Sequence, residues 1–194
     1  MISAEWKGLD KALKELGTVP EKVQRANVQA LNRAIVTTRA LAVRAIRKEV
    51  ALTAAYVRDK LRIVGATKAK PEAKISAARR GVLLTRFPHK QLLTSGRGGK
   101  VQKRAGVQVT VTPGAKETFR HGFLMPLGFK KESGDPIVGI AHRVPGQGRK
   151  VKVHHAPSPS QVFNTIRKDI APDAAAAYRK QYQAALLFAL RGST

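Results

Sequence analysis

One run, Ala26 to Val57, sets the strongest limit on what this chain can fold into. It contains no glycine or proline and is the only segment with sustained helical periodicity. Val28, Leu31, Ile35, Ala42 and Ile46 recur at spacings of three, four and seven, so on a helix they share one broad apolar stripe. Val36, Val43 and Val50 extend its flank, while Arg33, Arg44, Arg47 and Lys48 project from the other side. Arg39 breaks the pattern by falling inside the apolar arc. A guanidinium buried alone is expensive, so Arg39 must either snorkel to the edge or pair with an acid or carbonyl from another segment or subunit. The run reads as a core or interface helix with a basic outer face, and Leu31, Ile35, Arg39 and Ile46 are its candidate interface residues.

The rest of the chain arranges itself around that helix. Trp6, Leu9, Leu13 and Leu16 fall at helical spacing, and Gly17 followed by Pro20 ends this first helix. Trp6 is expected to anchor onto the long helix rather than touch a ligand. Pro20 suits the first turn of the long helix, with Thr18 as its cap, and the helix should run to about Val50. Thr53 then caps a shorter helix, Ala54 to Leu61. Two short strands are predicted, around Lys74 to Ala77 and Gly81 to Phe87, with Arg79, Arg80 and Gly81 as the turn.

The glycines and charges of LLTSGRGGKVQKRAG mark a mobile surface loop. In GVQVTVTPG, Val107, Val109 and Val111 alternate with Gln108, Thr110 and Thr112, the pattern of a half-buried strand stopped by Pro113 and Gly114. One strand is expected over Phe119 to Met125, with DPIVGIAHRVPG as its hairpin partner, and Gly146 to Lys150 make a second basic tip. The proline-punctuated APSPSQVF leads into a helix capped by Ser160. A second C-terminal helix should begin at Pro172 and stop at Gly192, with Tyr178, Tyr182, Ala185, Leu186 and Ala189 as its apolar face. Elements segregated in this way predict an α+β fold: long N-terminal helices, a central antiparallel sheet with basic loops, and C-terminal helices packed on it. One domain over residues 1–194 is expected, with a helical part (1–61), a mainly β part (73–155) and C-terminal helices (160–191). No internal repeat is visible.

Charge narrows the function. Against 12 acids stand 37 lysines and arginines, a formal net charge of +25 on 194 residues, which repels itself in the compact state and seeks a polyanion or an acidic protein surface. The excess is concentrated between Arg58 and Arg104, where 14 basic residues meet only Asp59 and Glu72. Aromatic residues make up only 5%, so the core is thin and part of its stability should come from partners. Without cysteine there is no disulfide, thiolate chemistry or zinc finger. The opening MISAEWKGLDKALKEL has an early acid and no apolar stretch suited to a secretory signal, and no apolar run approaches a membrane span.

Catalysis is not expected. None of His89, His121, His142, His154 and His155 shares the spacing of a metal motif, and the acids are interspersed with bases rather than paired for two-metal chemistry. Glu117 and His121 are four apart, but in a run that reads as loop and strand. GRGGK lacks the spacing of a phosphate loop, and Val101 follows Lys100. No cofactor is implied. The basic turns are the candidate contact surface: Arg79, Arg80, Arg97, Lys100, Lys103 and Arg104, with Arg149 and Lys150 on the other hairpin. They suit phosphates or an acidic protein neighbour, and no helix-turn-helix pattern accompanies them. A basic, non-specific DNA-binding protein of nucleoid or ribosomal type is the alternative class.

In order along the chain, ALNRAIVTTRALAVRAIRKEV, TAAYVRDKLRI, KISAARRGVLLTRF, GVQVTV, HGFLMP, AHRVPG and APSPSQVF resemble the phage minor tail protein Z family, the tail-completion proteins of lambda-like siphophages and related prophages. The resemblance covers nearly the whole chain and rests on the order of short segments rather than on any single motif. It implies a virion structural protein without catalytic activity, acting late in tail assembly where the tail joins the head and helping to place the DNA end for ejection. It further implies a ring of copies matching the six-fold tail. The implied partners are the tail terminator, tail tube and head-completion proteins, and the end of the packaged double-stranded DNA, with no membrane. The implied location is the tail or neck of the virion, and the host cytoplasm during assembly.

Overall fold

Most of the glycine-free run forms one helix, and its end turns into a second. In the computed structural model, which describes residues 19–95, 102–130 and 132–191, α1 spans Val19–Glu49. Pro20 sits in its first turn, where a missing N–H forfeits no intrahelical bond. The short helix α2, Ala54–Lys60, has Thr53 as its N-cap, and the Thr53 side chain accepts from the Tyr56 N–H at 3.4 Å. The expected first helix with Trp6, the Thr18 cap and the Gly192 stop lie outside the described residues.

The β part is short-stranded: β1 (Leu61–Val64), β2 (Lys74–Ala77), β3 (Val82–Leu83), β4 (His89–Ser95), β5 (Gln102–Val109), β6 (Glu117–Phe119), β7 (Phe123–Lys130), β8 (Pro136–Arg143), β9 (Val151–Val153) and β10 (His155–Ala156). They form four sheets, β1-β2, β3-β10, β4-β5-β6 and β7-β8-β9, and β10 pairs antiparallel with β3 across a wide sequence separation. With the flanking helices this is the expected α+β class.

Several boundaries differ from the sequence expectation. β2 falls where predicted, but it pairs with β1, and the segment after Gly81 is only the two-residue β3 followed by a 3-10 turn, Leu84–Arg86. The two are not a hairpin because β3 finds its backbone partner in β10. The supposed surface loop is largely ladder: β4 and β5 pair from His89↔Val109 to Ser95↔Gln102, leaving 96–101 outside the described residues. β5 ends at Val109, and Val111 instead accepts the Ala51 N–H at 2.7 Å. The single strand expected at Phe119 to Met125 is two, because Gly122 N–H bonds back to Phe119 C=O at 2.9 Å and turns the chain between β6 and β7. The β7-β8 hairpin is as predicted.

The C-terminal region departs most. It is one helix, α3, Pro159–Arg191, with Pro172 inside it rather than at the start of a second helix. Its cap is Ser158, not Ser160: Ser158 Oγ accepts from Gln161 N–H at 3.2 Å, and Gln161 Oε1 accepts from Ser158 N–H at 2.8 Å. That reciprocal pair is a capping box, and Pro159 occupies the first helical position, where it is favoured.

The residues divide into two compact units. One takes the described residues to Leu41, Arg62–Ser76 and the chain from Arg167; the other takes Ala42–Leu61 and Ala77–Ile166. In the first, the buried line of α1 is Ala26, Ala30 and Ala34, while Val28, Leu31 and Ile35 are half-buried and Val36 is exposed. The stripe predicted on the larger side chains is thus displaced by one edge of the helix. Alanines let another backbone approach closely, and Asn32 exploits this: its Nδ2 donates to Ala66 C=O at 3.0 Å and its Oδ1 accepts from Ala66 N–H at 2.7 Å. In the second unit the stripe holds, with Ala42, Val43, Ile46 and Val50 buried. Leu61, Val82, Phe87, Val107, Val109 and Ile140 are also buried in this unit.

Candidate functional site

Within the second unit, two short elements gather basic side chains around one aromatic ring. Tyr56 and Lys60 lie four apart on α2, so both emerge on the same helical face. Arg86 closes the 3-10 turn, between Leu84 and Phe87, which are both buried, and beside Thr85, whose hydroxyl donates to Val138 C=O at 2.7 Å. Those anchors hold the backbone inward and send the guanidinium out. Lys60 Nζ lies 5.5 Å and Arg86 Cζ 5.6 Å from the Tyr56 ring centre, both within cation–π range.

Arg79 and Arg80 complete the group. They are exposed, and the residue before them is tied on both sides: Ala78 N–H donates to Lys60 C=O and Ala78 C=O accepts from Ser160 N–H, each at 3.1 Å. With Tyr56, Lys60, Arg86 and Ile137 they line a recess of about 390 Å3. Arg86 also lines a neighbouring recess of about 480 Å3 together with Arg47, whose Nε donates to Leu52 C=O at 3.3 Å. Arg47, Arg86, Lys60, Arg79 and Arg80 therefore form one cationic groove system. Its counter-charge is Asp59, whose carboxylate sits 2.7 Å from Lys60 Nζ. Arg47, Arg79, Arg80 and Arg86 make no ion pair with a described carboxylate.

Such a groove can hold oxyanions through charge-assisted hydrogen bonds. The Tyr56 ring already carries two cations, so a base could stack on it only by displacing them, and contact with a phosphate backbone fits better than base reading.

The other expected contact residues are dispersed. Arg149 and Lys150 are exposed on the β8–β9 turn, where Val144 N–H donates to Lys150 C=O at 3.0 Å, and neither lines the groove. Lys103 and Arg104 fall in β5, opposite Thr94 and Leu93. Arg97 and Lys100 lie outside the described residues, as does Trp6. Of the interface candidates, Ile46 is fully buried, while Leu31, Ile35, Arg39 and Leu186 are half-buried. Arg39 makes no ion pair with a described carboxylate. Tyr178 and Tyr182 are half-buried and stacked, with ring centres 5.8 Å apart.

Sequence reading missed Tyr56, Lys60 and Arg86 as a group. The spacing of Tyr56 and Lys60 was a usable signal; the approach of Arg86 depends on tertiary structure. Among the described residues no three histidines or acids come together as a metal site, and no helix is long and apolar enough to cross a membrane. No curated protein and no solved structure matches the chain. A family model does: the one described as prophage minor tail protein Z matches residues 6–194.

Proposed function

Because the chain belongs to the prophage minor tail protein Z family, a family of non-enzymatic phage tail proteins, we propose that it completes the tail at its head-proximal end and helps position the end of the packaged DNA. Residues 1–194 act in this reading as one tail-completion domain. Its partners are further copies in a six-fold ring, the tail terminator, the tail tube and the head-completion proteins.

The observation that carries the DNA part is the groove of Arg47, Arg86, Lys60, Arg79 and Arg80, whose described ion pair is Lys60 with Asp59. Phosphates of the double helix supply the missing negative charge without any demand on sequence. In the particle the groove faces the last DNA to be packaged and holds it loosely until ejection.

Phage carrying Arg79→Gln, Arg80→Gln and Arg86→Gln together test this. Tails should form and join heads, while the DNA end is poorly retained and ejection fails in a large share of particles. Tails that never join heads, made of protein with unchanged affinity for duplex DNA, would show that the groove docks an acidic protein instead.

A further inference from the structure

A second cationic recess lies away from the groove, between the β6–β7 turn and the end of β8. Arg120, His121, Phe123, His142, Arg143 and Pro145 line it, and its volume is about 750 Å3. That lies inside the range of about 300–1,000 Å3 usual for binding pockets. Of these, His142 is backed by a second ring: its Nδ1 lies 2.6 Å from His154 Nε2, and the rings are 4.6 Å apart. The His154 ring in turn packs against Phe119, with centres 4.9 Å apart.

We propose that this recess binds a carboxylate-bearing, partly apolar peptide segment of a partner protein, with Arg120 and Arg143 as its charged contacts. Two observations support the choice of ligand. The polar groups facing the recess are all cationic or able to become so, and no carboxylate is among its lining residues. Phe123 and Pro145 give it an apolar wall, which suits the stem of an acidic side chain or a hydrophobic neighbour beside it in a peptide.

The histidine pair fixes His142 at the recess. At 2.6 Å one ring nitrogen must donate and the other accept, so the two rings hold each other in place. Burial, and then the charges of His142, Lys152 and His155, push the His154 pKa down. The groups around His142 are Arg120 and His121 from the β6–β7 turn, Arg143 on β8, Lys152 opposite it on β9, and His154 and His155. An incoming carboxylate is the one negative charge among these groups.

The probe is a capped acidic peptide, acetyl-Gly-Phe-Glu-Asp-Gly amide, titrated into the full chain by calorimetry, with the imidazole signals followed by NMR. Binding should move the His142 and His154 signals, which report on the lining of the recess and the ring behind it. Arg120→Gln with Arg143→Gln should weaken binding by about tenfold or more, whereas Arg149→Gln with Lys150→Gln, an equal loss of charge on the exposed tip, should change it less than about twofold. Both double variants alter exposed side chains, and unchanged melting confirms that each folds. The proposal is overturned if the two double variants bind alike or if the peptide leaves the His142 and His154 signals unmoved. It is also overturned if a short DNA duplex moves the His142 and His154 signals more than the peptide does.

Discussion

The hydroxyl of Tyr178 donates to Oδ1 of Asn27 at 2.8 Å, joining α3 to α1 across 151 residues of sequence. Tyr178→Phe keeps the ring and its stacking on Tyr182 but removes the donor, leaving Asn27 Oδ1 without it. The loss should be about 0.5–1.5 kcal/mol, read as a lower melting temperature. The same contact predicts an alkaline effect. Burial first, and the neighbouring Tyr182 second, hold the Tyr178 pKa above its ordinary 10.0. The folded state then keeps this proton longer than the unfolded chain does. The contribution is whole below the ordinary value and is lost as pH rises through the folded one. Stability of the wild type should therefore fall above about pH 10 more steeply than that of Tyr178→Phe.

Gly106 marks a second sensitive point. The β4–β5 register steps from Leu92↔Gly106 to Leu93↔Arg104, so Ala105 is the extra residue of a bulge. Gly106 itself has φ +115°, and a methyl group there would lie 2.5 Å from Phe119 C=O and 2.9 Å from Arg120 Cα. Neither neighbour is a side chain that can swing away. Gly106→Ala should cost at least about 1–3 kcal/mol in a denaturant melt, the scale of one residue held in a disfavoured backbone region. A melt within error of the wild type would mean that β6 does not pack on this bulge.

How much of this was legible depended on how local the cause was. Alternation of Val107 and Val109, the Thr53 cap and the β7-β8 hairpin follow from neighbouring residues, and all three were readable. Ser158 and Ser160 both sit beside prolines, and only the reach of Gln161 back to Ser158 decides between them. The S-x-x-Q spacing was present in the sequence and favours Ser158. The alanine seam of α1 was not readable, since periodicity weighs Val28, Leu31 and Ile35 above Ala26, Ala30 and Ala34. Which edge is buried depends on Ala66 meeting Asn32, a contact 34 residues away. The groove was half legible: Arg79 and Arg80 stood out as a basic turn, but Arg86 joins Tyr56 only through tertiary packing.

Pro172 gives a prediction of opposite sign. Inside a helix it cannot donate to the Lys168 carbonyl, and its ring crowds that turn. Its side chain is exposed, so no packing offsets the loss. Pro172→Ala should stabilise the chain by about 1–3 kcal/mol, up to the full difference between the two residues in a helix interior. Unchanged or lower stability would indicate that buried Ile170 and half-buried Tyr178, on either side, need a bend that the proline provides.

The groove predicts how DNA binding responds to salt. Each phosphate neutralised releases condensed counterions, so the slope of log affinity against log salt should steepen by about 0.9 for each contact. Arg79→Gln, Arg80→Gln and Arg86→Gln together should flatten that slope by about 2–3, and equally for unrelated duplex sequences, because phosphate contacts carry no base information. Arg149→Gln with Lys150→Gln removes two charges outside the groove and should flatten it by less than about 1. Stability should not confound the comparison. The turn that carries Arg86 is fixed by Leu84, Phe87 and the Thr85–Val138 hydrogen bond, while the arginine side chains themselves point to solvent. Arg86→Lys separates charge from geometry: it keeps the slope if only charge matters, but it loses the planar guanidinium beside Tyr56 and should weaken binding at fixed salt by a few-fold. Filter-binding titrations at four or more salt concentrations decide the matter. Equal slopes for the groove variant and the tip variant would mean that affinity comes from net charge alone and that the groove has no special role in holding DNA.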